Sequence, residues 1–295
     1  MSEPVDAPIP TVIIVGAGLG GLMLGAILET ANISYHILER ASELRPLGSA
    51  IAMSGNIFPA FEQLGIYEEL KSVSLPHISI DLYDTKLNAL GSVYSREHNI
   101  VTGYGSLITI NMGKKVLRTK EHDNKVTVYC SDNTEYECRI IVGADGAYSA
   151  VRQNIYKKLE EQGRLPPIDN EAFSISYITM VGVSKPTNPE KYPQLAEKYR
   201  TYFPVIIGDN NDSISWGVQI QIPENKAKDL HFRNSEWGPE SVEEMLGQFQ
   251  DFPCAFGGTM KEIMNATPKD LISKVFLEQK VFQTWYNGRS VLIGD

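Results

Sequence analysis

Residues 11–40 read TVIIVGAGLGGLMLGAILETANISYHILER, and the fold turns on this stretch. Thr11–Val15 is a β-branched apolar run, as expected of a parallel strand covered on both faces. Gly16, Gly18 and Gly21 follow in the spacing G-x-G-x-x-G. In that arrangement the first glycine permits a tight turn, the second lets a pyrophosphate approach the backbone, and the third lets a helix pack closely on the strand. The spacing predicts a helix from about Leu19, with Leu22, Leu24, Ile27 and Leu28 available to face the sheet and Asn32 as its left-handed cap. Ser34–Leu38 predicts a second strand, and Glu39 at its end lies 18 residues beyond Gly21. At about that distance an acid meets the adenosine ribose of a bound dinucleotide. A helix N-terminus offers phosphates unpaired N–H groups and a positive dipole end, while a carboxylate accepts the ribose hydroxyl protons. A glycine-rich turn alone also serves plain helix–strand packing; strand, glycines, helix, strand and acid together point to dinucleotide binding. Arg40 raises the question of a 2′-phosphate, but Glu39 would repel that group, and Arg40 fits a pyrophosphate or surface role.

The surrounding composition is that of a globular protein. The chain has 295 residues, 42% hydrophobic and 21% charged, which is enough for a sizeable core and usually for two domains. Its net charge of −9, with no basic block, argues against nucleic acid and anionic membranes as partners. MSEPVDAPIP at the start is acidic and proline-rich, the reverse of a signal or transit peptide. Thr11–Leu28 is the stretch nearest to a membrane span, but it carries five glycines and suits strand–turn–helix better. Cys130, Cys138 and Cys254 are odd in number and form no CxxC, which implies neither a disulfide framework nor a zinc site and suggests a reducing, cytoplasmic compartment. The histidines at 36, 77, 98, 122 and 231 show no ligand spacing, and no G-x-S-x-G marks a serine nucleophile.

A nicotinamide dehydrogenase would continue in alternating strands and helices. This chain does not. The helix-like PAFEQLGIYEELKSV (59–73) is followed by ISIDLYDTKLNALGSVYS (78–95), which predicts a hairpin. Residues 115–146 predict a β-meander, with turns at His122–Asn124 and Ser131–Asn133. More strands are expected between Ala172 and Pro223, among them YFPVIIG (202–208) and SISWGVQIQI (213–222). Pro239 and Ser241 open a predicted helix over SVEEMLGQF. The expected architecture is α/β: a Rossmann-like βαβ domain interleaved with a β-sheet-rich domain. The boundaries drawn are 1–75, 114–155 and 286–295 for the first domain and 76–113 and 156–285 for the second.

Three segments fall in a telling order: GAGLGG with Glu39, GADGAYSAVR (143–152) after a strand, and WYNGRSVLIGD (285–295). Together they resemble the FAD-dependent aromatic-ring or para-hydroxybenzoate hydroxylase-type flavoprotein monooxygenases, with salicylate, urate and fungal meroterpenoid relatives. The resemblance extends over nearly the whole chain. It implies that Gly16, Gly18 and Gly21 carry the FAD pyrophosphate and Glu39 the adenosine ribose, with Arg40 nearby. It implies that the LRPLGSAIAM loop, particularly Gly48 to Ala52, runs beside the flavin. Asp145 and Arg152 would support FAD and transient NAD(P)H binding, and Asp295 the ribityl or pyrophosphate region. On residues alone, Asp145-Gly146 also fits a plain turn, Arg152 an exposed helix arginine, Gly48 loop geometry and Asp295 a frayed terminus.

The resemblance implies NAD(P)H as co-substrate, dioxygen, a flavin C4a-hydroperoxide, and hydroxylation or epoxidation of an aromatic or isoprenoid small molecule. No catalytic acid or base is identified. Two departures stand beside it. In relatives Gly-Asp is followed by an Ala/His-containing turn, a Pro-containing loop and a glycine-rich helix start, so SVLIGD has the look of an interruption. Relatives also carry an Arg-led helix before the meander, where GYGSLITINMGKKVLRT (103–119) passes from strand to strand. Both bear on the cofactor site, so the alternative reading is a truncated FAD- or dinucleotide-binding module without turnover. A nicotinamide-only dehydrogenase is disfavoured by the β-rich insert and the second motif.

Overall fold

The computed structural model describes residues 9–40, 53, 55–72, 74, 79–84, 86–94, 116–122, 124–130, 135–185, 200–203, 206–208, 213–224, 239–254 and 257–294. In chain order β1 (Val12–Val15), α1 (Leu19–Thr30) and β2 (Tyr35–Leu38) are followed by α2 (Phe58–Gln63) and α3 (Tyr67–Ser72). The hairpin β3 (Ser79–Tyr83) and β4 (Ala89–Tyr94) precedes the meander β5 (Val116–Glu121), β6 (Val126–Cys130) and β7 (Glu135–Cys138). Then come β8 (Ile140–Gly143), α4 (Ala150–Glu161), α5 (Pro167–Asn170) and β9 (Ser174–Val183). The remainder is β10 (Arg200–Phe203), β11 (Ile206–Gly208), β12 (Ile214–Gln221), α6 (Pro239–Phe249), α7 (Met260–Asn265), β13 (Ile272–Gln279), β14 (Tyr286–Asn287) and β15 (Ser290–Leu292).

The chain divides into two compact units. The first comprises Met1–Arg45, Asn111–Ala172 and Lys280–Asp295, and the second Pro46–Ile110 and Phe173–Gln279. Residues 156–172 and 280–285 thus fall in the first unit, where the sequence reading had them in the second, and 46–75 fall in the second. The helix explains part of the difference: α4 continues to Glu161, and its apolar stripe Val151, Ile155 and Leu159 is buried in the first unit's core.

The first unit is built on a sheet of order β14-β15-β8-β1-β2, in which β1 pairs parallel to both β2 and β8. Alternation along β1 sends side chains to two cores. Ile13 and Val15 join Ile141, the meander residues Val126 and Val128, and the α4 stripe. Val12 and Ile14 join Val142, with Leu24 and Leu28 of α1 packed against them. A βαβ unit with cover on both faces is what the unbroken apolar run VIIV requires.

One expectation on α1 is corrected. Leu22 and Ile27 were candidates to face the sheet, yet they are 42% and 46% exposed. The buried stripe is Gly21 and Gly25, with Leu24 and Leu28 beside it. Glycines on this stripe let the helix lie close to the sheet: a Cβ on Gly25 would stand 3.0 Å from the side chains of Ile37 and Tyr35. Asn32 does adopt the left-handed conformation, at φ 55°.

The second unit holds a sheet of order β13-β9-β12-β11-β10-β3-β4. Its core gathers Ile178, Met180, Trp216 and Val218 of the sheet with Met245 of α6 and Met260, Ile263 and Met264 of α7. The hairpin expected over 78–95 is present as antiparallel β3–β4. PAFEQLGIYEELKSV forms two helices, because Gly65 takes φ 73° between them. The fold class is therefore as expected: an α/β dinucleotide-type βαβ unit and a sheet-rich unit interleaved along the chain.

Candidate functional site

The carboxyl ends of β1, β2 and β8 converge, the place where open α/β sheets bind ligands. Gly16 leaves β1 at φ 101°, a conformation that L side chains rarely adopt. Its surroundings forbid a side chain as well: a Cβ there would lie 2.3 Å from the carbonyl oxygen of Ala144 and 3.0 Å from Cα of Asp145. The second motif thus packs directly on the first glycine of the first. A Cβ on Gly21 would lie 1.9 Å from the carbonyl oxygen of Gly16, whereas one on Gly18 would meet nothing within 4 Å. The outer two glycines are consumed by packing, and the middle one faces open space.

Gly18 is the N-cap of α1, no side chain caps this end, and its first turn holds no acidic residue. The N-terminal N–H groups of α1 and the positive end of its dipole are left to whatever enters that space. Glu39, at the end of β2, accepts hydrogen bonds from the backbone N–H of Ala17 and from that of Arg40 (2.8 Å). Its carboxylate is therefore directed across the mouth of the crossover at the glycine loop. Arg40 is exposed.

The second motif is held locally. Asp145 Oδ2 accepts the N–H of Ala150 (2.6 Å), and Ser149 caps α4 by accepting the N–H of Arg152 (3.0 Å). Asp145 Oδ1 is buried with no hydrogen-bond partner. Arg152 is only 7% exposed, which overturns its reading as an exposed helix arginine. Its guanidinium donates to the carbonyl of Ala147 and lies 4.6 Å from the ring centroid of Phe282.

The third segment arrives through β15, which pairs parallel to β8, and Ile293 N–H donates to the carbonyl of Gly143 (2.9 Å). This places Gly294 at the first motif, 4.0 Å from a Cβ built on Gly20. A groove opens beside it, lined by Gly146, Ser149, Arg152, Phe282, Trp285 and Gly294 among others. Burial raises the Tyr156 phenol well above its ordinary value, the carboxylate of Asp169 adds to the rise and the Arg152 cation opposes it. Gly48, Ala52 and Asp295 lie outside the described residues, as does the segment around Asn111. Among the described residues there is no group of three or more His, Cys, Asp or Glu that could hold a metal ion, and no helix long and apolar enough to cross a membrane.

Three groups in this unit carry no sequence motif: Asp169, Lys280 and Phe282. Asp169 meets its hydrogen-bond partners 114 and 115 residues away, a separation that no local pattern encodes.

An uncapped helix end, an open glycine, an acid across the loop and an orphaned buried carboxylate oxygen fit an adenine dinucleotide such as FAD. Residues 10–95 match the family model described as FAD binding domain. The chain is similar to the FAD-dependent monooxygenases. It is 27% identical over 309 residues to the FAD-dependent monooxygenase esdpE of Penicillium shearii, covering 96% of this chain and 62% of that protein. It is 26% identical over 309 residues to the FAD-dependent monooxygenase atmM of Aspergillus flavus, covering 96% of this chain and 63% of that one. The chain thus spans less than two thirds of the length of either relative. Among solved structures, Klebsiella pneumoniae HpxO complexed with FAD and uric acid has the same fold, with a TM-score of 0.71 at 16% identity, covering 96% of this chain and 72% of that one.

Proposed function

We propose that this chain binds FAD and works as an FAD-dependent, NAD(P)H-consuming monooxygenase on an aromatic or isoprenoid small molecule, in the cytoplasm. The observation that carries the reading is the Glu39 carboxylate directed at the Ala17 N–H beside the uncapped start of α1. Gly16, Gly18 and Gly21 would hold the pyrophosphate, Glu39 the adenosine ribose, and Arg40 the rim of that site. Asp145 and Arg152 would support the dinucleotides from the second motif, with Gly48, Ala52 and Asp295 completing the set. The first unit is then the FAD-binding domain and the second the substrate domain.

Bound FAD would supply the redox chemistry, namely hydride acceptance from NAD(P)H and activation of dioxygen, with one oxygen atom destined for the substrate and the other for water. The protein's part is to bind, orient and keep water out. The fungal relatives support the monooxygenase assignment, and the fold shared with the urate-bound structure is in keeping with a small-molecule substrate. Titrating purified protein with FAD and following flavin fluorescence tests the binding. NADPH or NADH oxidation with aromatic and isoprenoid substrates tests the reaction. Flavin binding without any turnover would reduce the chain to a dinucleotide-binding module, and NAD binding without FAD binding would overturn the assignment.

A further inference from the structure

Asp169 is 3% exposed and lies in the single turn α5. It is no part of any motif. Its Oδ1 accepts the N–H of Gln283 (2.8 Å) and its Oδ2 the N–H of Thr284 (2.9 Å). The grip is reciprocal: Lys280 Nζ donates to the carbonyl of Asp169 (2.7 Å) and to that of Glu171. Both ends of the five-residue run 280–284 are thus fastened to one helical turn.

What lies inside and just after that run is the groove wall. Phe282 is held with Arg152 Cζ at 4.6 Å and Lys280 Nζ at 5.1 Å from its ring centroid, and with Tyr156 edge-on at 6.0 Å. Trp285, which also lines the groove, accepts the N–H of Leu292 (2.8 Å) through its carbonyl. From there Ile293 bonds to Gly143 and Gly294 reaches the first glycine motif. A buried carboxylate spent wholly on two backbone N–H groups gives charge-assisted bonds, the stronger kind.

We propose that Asp169 is a positioning residue: it sets the Phe282–Trp285 wall of the groove beside Arg152, and through it the fit of the groove's ligand. That ligand being a flavin dinucleotide rests on the function proposed above. Asn at this position keeps the volume but turns an N–H₂ toward an N–H, so one bond is lost and a repulsive contact replaces it.

The test compares the full chain with Asp169→Asn and Lys280→Met, by amide hydrogen exchange of Gln283 and Thr284 and by FAD titration, with far-UV circular dichroism as the fold check. Both variants should exchange these amides at least tenfold faster and bind FAD at least fivefold more weakly, with an unchanged dichroism spectrum. Unchanged exchange overturns the proposal, as does faster exchange with unaltered FAD affinity. Should the wild type take up no FAD, the functional reading falls separately, and amide exchange of Gln283 and Thr284 decides: faster exchange in the variants upholds the positioning role, unaltered exchange ends it. If Asp169→Asn fails to fold, Lys280→Met carries the comparison, since it vacates no buried carboxylate.

Discussion

The α-carbon of Gly21 packs so closely on the carbonyl of Gly16 that a Cβ would stand 1.9 Å from that oxygen. The atom in the way is backbone, at the turn that also takes φ 101° at Gly16, so nothing flexible can yield. Gly21→Ala should therefore cost about 3 kcal/mol, the upper range for forced overpacking. Thermal unfolding should fall by several degrees, and FAD affinity should fall with it. A variant with wild-type melting would show that the α1–β1 crossover is looser than drawn.

Glu39 offers one carboxylate oxygen to Ala17 N–H and the other to Arg40 N–H. Glu39→Gln keeps the shape and loses the charge: its N–H₂ would face one of these two N–H donors, so one bond is lost, and the other, now to a neutral amide oxygen, weakens. Hydrogen bonds to charged groups contribute about 1.5–3 kcal/mol, and loss at that scale corresponds to a rise in the FAD dissociation constant of about tenfold or more. Fluorescence titration reads this directly. Equal affinities would remove Glu39 from the proposed ribose site.

Cys138 is fully buried in the core beneath β1, and burial raises its thiol from 9.0 to about 11, against smaller lowering by hydrogen bonds from Ile13 and Ile140. The folded state thus holds this proton more tightly than the unfolded state does. Its contribution to stability is complete below about pH 9 and is lost as pH rises toward 11. Denaturant titrations at pH 8 and pH 10.5 should show lower stability at the higher pH, and Cys138→Ala should lessen the difference. At pH 8 the native thiol should resist a thiol-reactive dye until denaturant is added. Rapid native labelling of Cys138 would contradict its burial.

In the second unit Trp216 stands opposite Gly182 in the β12–β9 ladder, and its ring fills the space a side chain would need, 2.6 Å from a Cβ built there. Its Nε1 donates to Thr267 Oγ1 (2.8 Å), which in turn donates to the carbonyl of Ile263. Trp216→Phe should cost about 1–2 kcal/mol for the lost bond, plus a smaller cavity term. Gly182→Ala should destabilise by forcing the ring aside. Urea unfolding with a circular dichroism readout measures both. An unaffected midpoint in Gly182→Ala would mean the ring has room to move.

The sequence by itself determined the βαβ crossover, the glycine turn, the acid at its mouth and the strand-rich body. Each is written in residues that touch within a strand, a turn or a crossover, and the apolar runs, glycine spacing and turn residues there act over short separations. Tertiary structure decided the rest. Leu22 and Ile27 face outward because glycines form the stripe that meets the sheet, a choice made by the distance between helix and strand. Arg152 is buried because Phe282, 130 positions along the chain by the numbering, supplies a ring for its guanidinium. Asp169 has its task only because residues 280–284 return to it. Contacts of that kind depend on how distant segments pack, and no periodicity along the chain carries them.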